Sequence, residues 1–155
     1  MAKEVLASNK YGPEGYKVFL GGAIDQGAAE DWQSRVVEAL KDVDVVVLNP
    51  RREDWDSSWE QSVDNPEFRR QVEWELRAQE DADLCVYVLL KNSKGPVTML
   101  EIGLFAPKKD AVLCIEDGFH RQGNLQIVAR RYEIPFYHGL DEMLADLKEV
   151  LKGRA

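Results

Sequence analysis

Five short apolar runs, each followed by a segment of helical character, leave this chain few folds to choose from. They are Tyr16–Leu20, Val43–Leu48, Asp83–Leu90, Ala111–Ile115 and Ile134–Tyr137. The second and third are nearly unbroken rather than alternating, the pattern of strands buried on both faces of a parallel sheet. The segments between them have helical periodicity. Residues 28–41 carry Trp32, Val36, Val37 and Leu40. Asn65 and Pro66 open a helix that runs to about Asp81, with Phe68, Val72 and Leu76 as its apolar seam. Pro96 opens another that Pro107 closes. Gly123-Asn124-Leu125 begins a fourth, and Leu140 to Leu151 is strongly amphipathic. This alternation predicts an α/β three-layer sandwich with a five-stranded parallel sheet and right-handed crossovers. Residues 1–15, with Asn9, Gly12, Pro13 and Gly15, read as a flexible arm, and 16–155 as a single domain.

In such sheets ligands bind beyond the carboxyl ends of the strands. Four segments follow strand ends and converge on that edge: Gly21–Asp25, Asn49–Trp59, Lys91–Glu101 and Glu116–Asn124. The paired glycines of Gly21-Gly22-Ala23-Ile24-Asp25 let a ligand approach the backbone closely. An ordinary tight turn is the alternative, and the dinucleotide fingerprint G-x-G-x-x-G is absent. The loop from 49 to about 65 is long and combines Arg51, Arg52, Glu53, Asp54 and Asp56 with Trp55 and Trp59. It reads as a lid that stacks an aromatic ring, or as a self-packed surface loop.

Two carboxylates stand out. Glu101 is the one ionisable residue between Pro96 and Pro107, in a helix apolar nearly all the way round. Such a helix is usually buried, and a buried carboxylate is costly unless paired or used. A place at a subunit interface or a reach past its neighbours to solvent is the alternative. Thr98 sits one turn before it on the same side. In the preceding helix, Glu75 falls beside Phe68 and Val72 on the inward face, while Glu73 points to solvent at 100° per residue.

Net charge of −8 argues against a nucleic-acid polymer or an anionic membrane as partner, and leaves a small nucleoside open. Cys85 and Cys114 lie inside apolar runs and match no metal spacing. No motif asks for a metal or organic cofactor. No apolar leader or membrane-length run is present, so the expected compartment is the cytoplasm. There is no P-loop and no G-x-S-x-G elbow, and His120 and His138 have no Ser or Cys partner nearby in sequence. Two carboxylates, apolar walls and aromatic rings suit chemistry at a sugar's anomeric carbon, where one carboxylate attacks and the other handles a proton or the sugar hydroxyls.

Five elements in order carry a resemblance. They are Val18-Phe19-Leu20-Gly21-Gly22-Ala23-Ile24; Asn49-Pro50-Arg51-Arg52 with Asp54-Trp55-Asp56; Gln71-Val72-Glu73-Trp74-Glu75-Leu76 leading to Ala82-Asp83; Gly95-Pro96-Val97-Thr98-Met99-Leu100-Glu101-Ile102-Gly103; and Gly123-Asn124-Leu125-Gln126-Ile127-Val128. Together they resemble the nucleoside 2-deoxyribosyltransferase family, in the branch with the Asn-Pro-Arg-Arg element. The resemblance implies a flavodoxin-like fold and cleavage of a 2′-deoxynucleoside, with deoxyribose passed to another base through a covalent intermediate. It implies Glu101 as nucleophile and Glu75 as the second acid, a Glu where the family usually has Asp. It also implies Gly21–Asp25 as the Gly-rich substrate loop, with Asn124 reaching a neighbouring subunit's sugar in a homo-oligomer. One departure concerns the acid that many members carry about six residues before the nucleophile. Here that position is Gly95, so Asp54, Asp56, Glu75 or water must protonate the leaving base. Two other readings keep the fold: a hydrolase of nucleosides or their 5′-monophosphates, with Arg51 and Arg52 on the phosphate, and a non-catalytic nucleotide-binding module.

Overall fold

The computed structural model describes residues 1–23, 31–52 and 58–154. Its strands are β1 (Lys3–Leu6), β2 (Lys17–Gly22), β3 (Val46–Asn49), β4 (Leu84–Leu89), β5 (Ala111–Ile115) and β6 (Phe136–Tyr137). Its helices are α1 (Trp32–Ala39), α2 (Pro66–Asp81), α3 (Pro96–Phe105), α4 (Gln122–Arg131) and α5 (Leu140–Lys152). The strands form one sheet in the order β1-β3-β2-β4-β5-β6, and every pairing is parallel. Apart from the added edge strand β1, this is the doubly wound, flavodoxin-like order.

Among the described residues the sheet therefore has six strands where the sequence predicts five. The segment expected to be a flexible arm supplies the extra one. Lys3-Glu4-Val5-Leu6 is too short and too polar to announce itself, but it needs only an open edge. Its backbone pairs with Val46 to Asn49, and Val5 is buried.

Alternate side chains of each strand go to opposite faces, and each face has its own core. Phe19, Leu48, Tyr87, Leu89 and Leu113 pack under α2, α3 and α4 through Ala78, Ile102, Leu125 and Ala129. Val18, Leu20, Val47, Val86 and Val88 pack under α1 and α5 through Trp32, Val36, Met143 and Leu147. The unbroken apolar runs are thus buried on both faces, and Cys85 and Cys114 are free thiols within them. Local signals start the helices. Asp31 accepts from Ser34 N at the start of α1, and Asn65 accepts from Glu67 N and Phe68 N ahead of Pro66 in α2. Among the described residues no helix is long and apolar enough to cross a membrane.

Two predicted helix faces differ from those observed. In α2 the side chains turned to the sheet are Gln71, Ala78 and Gln79, while Val72 is exposed. The apolar spacing of Phe68 and Val72 is real, but it faces a cleft. In α3 the buried residues are Thr98, Glu101, Ile102 and Phe105, and Val97, Leu100 and Leu104 lie open. Helix α3 is half-buried, because only one of its sides meets the sheet.

Strand order reverses around β2: β3 lies on one side and β4 on the other. The connections leaving their carboxyl ends diverge, which opens a crevice there.

Candidate active site

A cleft of about 430 Å³ occupies that crevice. Gly22 and Ala23 at the end of β2 form its floor side, and Pro50 and Arg52 follow β3. Phe68, Gln71, Val72 and Glu75 enter from α2. Gly95 to Thr98 and Glu101 enter from the start of α3. Both glutamates singled out from the sequence thus face one cavity from two helices.

Glu101 is only 6% exposed. Its Oε2 accepts a hydrogen bond of 2.7 Å from Gln79 Nε2. Burial pushes its carboxyl up to about 7, and the Gln79 donor, which favours the anion, works against that rise. Glu75 is half-buried, and its Oε2 accepts from Gln71 Nε2 at 3.1 Å. Burial, with the Glu101 charge second, pushes it higher, to about 8. The charge on one carboxyl raises the other, so the pair loses its two protons in separate steps. Such a split suits one carboxylate anion and one protonated acid at neutral pH.

The supporting shell is polar. Gln71 Nε2 also donates to Pro50 O at 2.8 Å, tying α2 to the loop after β3. Gln79 is fully buried, donates to Glu75 O at 3.1 Å, and accepts from the Tyr87 hydroxyl at 2.7 Å. Glu73 lies on the solvent side, in a pair with Arg69. Thr98 is buried on the cleft wall in the first turn of α3.

Other residues expected to bind substrate fall in three groups. Gly22 and Ala23 line the cleft with Thr98. Ile24, Asp25, Asp54 and Trp55 lie outside the described residues, as does Asp56. Gly21, Asn49, Arg51, Trp59 and Asn124 are placed off the cleft wall. Gly21 continues β2 rather than turning, paired in register with Tyr87. A Cβ there would stand 2.6 Å from the Tyr87 ring, so the glycine makes room for a tyrosine. Asn49 is buried at the end of β3, where it donates to Glu4 Oε2 at 2.8 Å and accepts from Arg51 N at 3.0 Å. Arg51 turns to Asp31, at 3.5 Å. Its neighbour Arg52 lines the cleft instead, paired with Glu67 at 2.7 Å and stacked over the Trp59 ring at 5.1 Å. Asn124 is exposed on α4.

Gly95, where many relatives by resemblance carry an acid, is the cap of α3 at φ 57°, a left-handed conformation. A Cβ there would meet Leu89 Cδ2 at 2.9 Å. The left-handed backbone and the Leu89 side chain together favour glycine at this position. His120 and His138 do not line the cleft; His120 Nε2 contacts Lys94 O and His138 Nδ1 contacts Asp117. Among the described residues no three His, Cys, Asp or Glu side chains gather as a metal site. Sequence reasoning offered Arg52 only for a 5′-phosphate, and passed over Gln71 and Gln79 as site residues. The spacing of Gln71, Glu75 and Gln79 at i, i+4, i+8 was the available signal for the last two.

A search among curated proteins finds no match to this chain. A family model described as nucleoside 2-deoxyribosyltransferase like matches residues 15–119, more than half of the chain and all the cleft-lining residues named above, and the chain belongs to that family.

Proposed function

We propose that the chain cleaves the N-glycosidic bond of a 2′-deoxynucleoside and transfers the deoxyribose to another nucleobase through a glycosyl ester on Glu101. The observation that carries this reading is two glutamates, Glu75 and Glu101, that enter one cleft from two helices, both with raised proton affinity. Ionised Glu101 attacks C1′ as the C1′–N bond breaks. The bond's electron pair stays on the base, which takes the proton held by Glu75. In the second step a nitrogen of the incoming base attacks C1′, the ester C–O bond breaks, and the electron pair returns to Glu101. The incoming base gives its proton to Glu75. Glu75 thereby does the work of the acid that Gly95 does not supply. Phe68, Val72 and Pro96 give the cleft apolar walls against which a flat base can lie.

The test incubates a deoxynucleoside with a different free base. The expected product is the exchanged nucleoside, together with a deoxyribosyl mass on the peptide containing Glu101 in quenched protein. Neither exchange nor hydrolysis across purine and pyrimidine donors would sink the reading. Binding that survives Glu101→Ala, with no turnover in either protein, would make the chain a binding module.

Arg52 on the cleft wall favours one second reading, hydrolysis of a nucleoside 5′-monophosphate. It predicts that the 5′-phosphate is required, that free sugar phosphate is released, and that Arg52→Gln raises KM for the monophosphate alone.

The family resemblance further suggests a homo-oligomer. The exposed Val97, Leu100 and Leu104 on α3, with Ile127 and Val128 beside Asn124 on α4, support that assembly. Sedimentation velocity of the wild type and of Leu100→Glu tests it; a wild-type monomer at micromolar concentration refutes it.

A further inference from the structure

Gln79 has no part in the chemistry above, yet its carboxamide is fully employed. Both Nε2 hydrogens are used, one on Glu101 Oε2 at 2.7 Å and one on Glu75 O at 3.1 Å. Its Oε1 accepts from the Tyr87 hydroxyl at 2.7 Å. The partners fix the amide's orientation: turned over, its oxygen would face a carboxylate and a carbonyl, two acceptors. Tyr87 is itself buried, and its ring occupies the space beside Gly21 that any larger residue would close. The chain of contacts therefore runs from Gly21, through Tyr87 and Gln79, to one oxygen of Glu101. None of the first three lines the cleft, so none is in reach of a substrate there.

We propose that Gln79, braced by Tyr87 in the space left at Gly21, is a positioning residue that holds Glu101 Oε2 and so presents Oε1 as the attacking oxygen. This rests on Glu101 being the nucleophile. A carboxylate in a low-dielectric site can rotate about its last bond, and a fixed donor on one oxygen removes that freedom. The same donor favours the anion, the form that attacks. An apolar residue of the same length would leave Glu101 buried with no compensating donor.

The experiment follows the Glu101 carboxyl by carbon NMR titration in wild type, Gln79→Met and Tyr87→Phe, with folding checked by circular dichroism and Glu101→Gln used to assign the signal. Exchange kinetics are measured on the same samples. Gln79→Met is expected to raise the midpoint of Glu101 by about one unit. It is expected to lower kcat about 10- to 100-fold, with KM little changed and the acid limb of the rate profile shifted upward. Tyr87→Phe is expected to do the same to a smaller degree, because Gln79 loses its brace and keeps its donor. Tyr87→Phe also removes only one hydroxyl, so it provides the readout if Gln79→Met does not fold. An unmoved midpoint in a folded variant, or a change confined to KM, overturns the assignment. The titration needs no turnover. A shifted midpoint in a protein without activity faults the transferase reading, and an unshifted midpoint in an active one faults the role of Gln79.

Discussion

Helices α2 and α3 each invert the usual arrangement, in opposite senses. Helix α2 turns polar side chains inward: Gln71, Glu75 and Gln79 lie one turn apart, and both glutamines are buried. Helix α3 turns apolar ones outward, with Val97 61%, Leu100 62% and Leu104 44% exposed. Buried polar groups are tolerated where each finds a partner. Gln79 is fully partnered by Glu101, Glu75 O and Tyr87, and Gln71 donates to Pro50 O and Glu75 while its Oε1 has no partner among the described residues, which makes the inward face of α2 a scaffold for the carboxylates. Exposed apolar groups in a row need no partner to be tolerated, but they mark a surface for covering. One helix is built around the cleft and the other has a second face left over.

The comparison can be broken most directly at Glu101. Glu101→Gln keeps shape and the Gln79 contact, so folding should survive. Turnover should fall by about 10⁴-fold or more, and the covalent sugar adduct should vanish from the mass spectrum. A residual activity near wild type would detach the polar face of α2 from the chemistry.

Glu75→Gln should be less severe, about 10²- to 10³-fold in kcat. Its signature is in the pH profile. On the proposed mechanism activity in the wild type needs Glu101 ionised and Glu75 protonated, so the rate should rise as pH passes about 7 and fall as it passes about 8. These limbs belong to the pair jointly. Glu75→Gln should abolish the alkaline limb. A limb that persists would put the proton on another group.

The two sides of α3 should separate in stability. Ile102, 3% exposed, packs on the sheet, and Ile102→Ala should cost about 2–4 kcal/mol in denaturant titration. Leu100→Ala, two residues away, should cost under about 0.5 kcal/mol in a dissociated protein. A larger cost that depends on protein concentration would show that the outer face is covered in solution.

An effect smaller than that of Ile102→Ala concerns pH and stability. The folded chain raises Glu75 well above the ordinary 4.5, so it binds that proton more tightly than the unfolded chain does. The corresponding stabilisation is complete below about pH 4.5 and is lost as pH rises through about 8. Glu75→Gln should therefore be more stable than the wild type at pH 9, by about 1–2 kcal/mol given the solvent access of the cleft, and show little gain at pH 4. Equal stability at both would place Glu75 in water.

Much of this was legible from residue order. The strand runs Val43–Leu48 and Asp83–Leu90 announce burial on two faces, and Asn65-Pro66 and Gly95-Pro96 mark where helices begin. Glu101 stands alone in apolar surroundings, and the 100° step separates Glu75 from Glu73. The faces of α2 and α3 were harder to read. Periodicity identifies a stripe but not its neighbour: the Phe68–Val72 stripe faces a cavity, and the stripe of Val97, Leu100 and Leu104 faces outward. β1 was missed because an edge strand is held by backbone pairing to β3, which needs few apolar side chains. Arg51 and Arg52 are identical in type and adjacent, and only the fold distinguishes the one held by Asp31 from the one on the cleft.

The sequence by itself determined the α/β alternation, the sheet edge that carries the cleft, and the two carboxylates on it, because burial pattern and helical step are local properties. Tertiary structure decided the surroundings of those carboxylates. They share one cleft, and Glu101 is held by Gln79, which lies 22 residues from it in the chain and 2.7 Å from its oxygen in space. It also decided the use of Gly21, whose missing side chain matters through the Tyr87 ring on the next strand. Hydrogen bonds and close packing act over a few ångströms, whatever the separation along the chain, so only the folded chain can assign them.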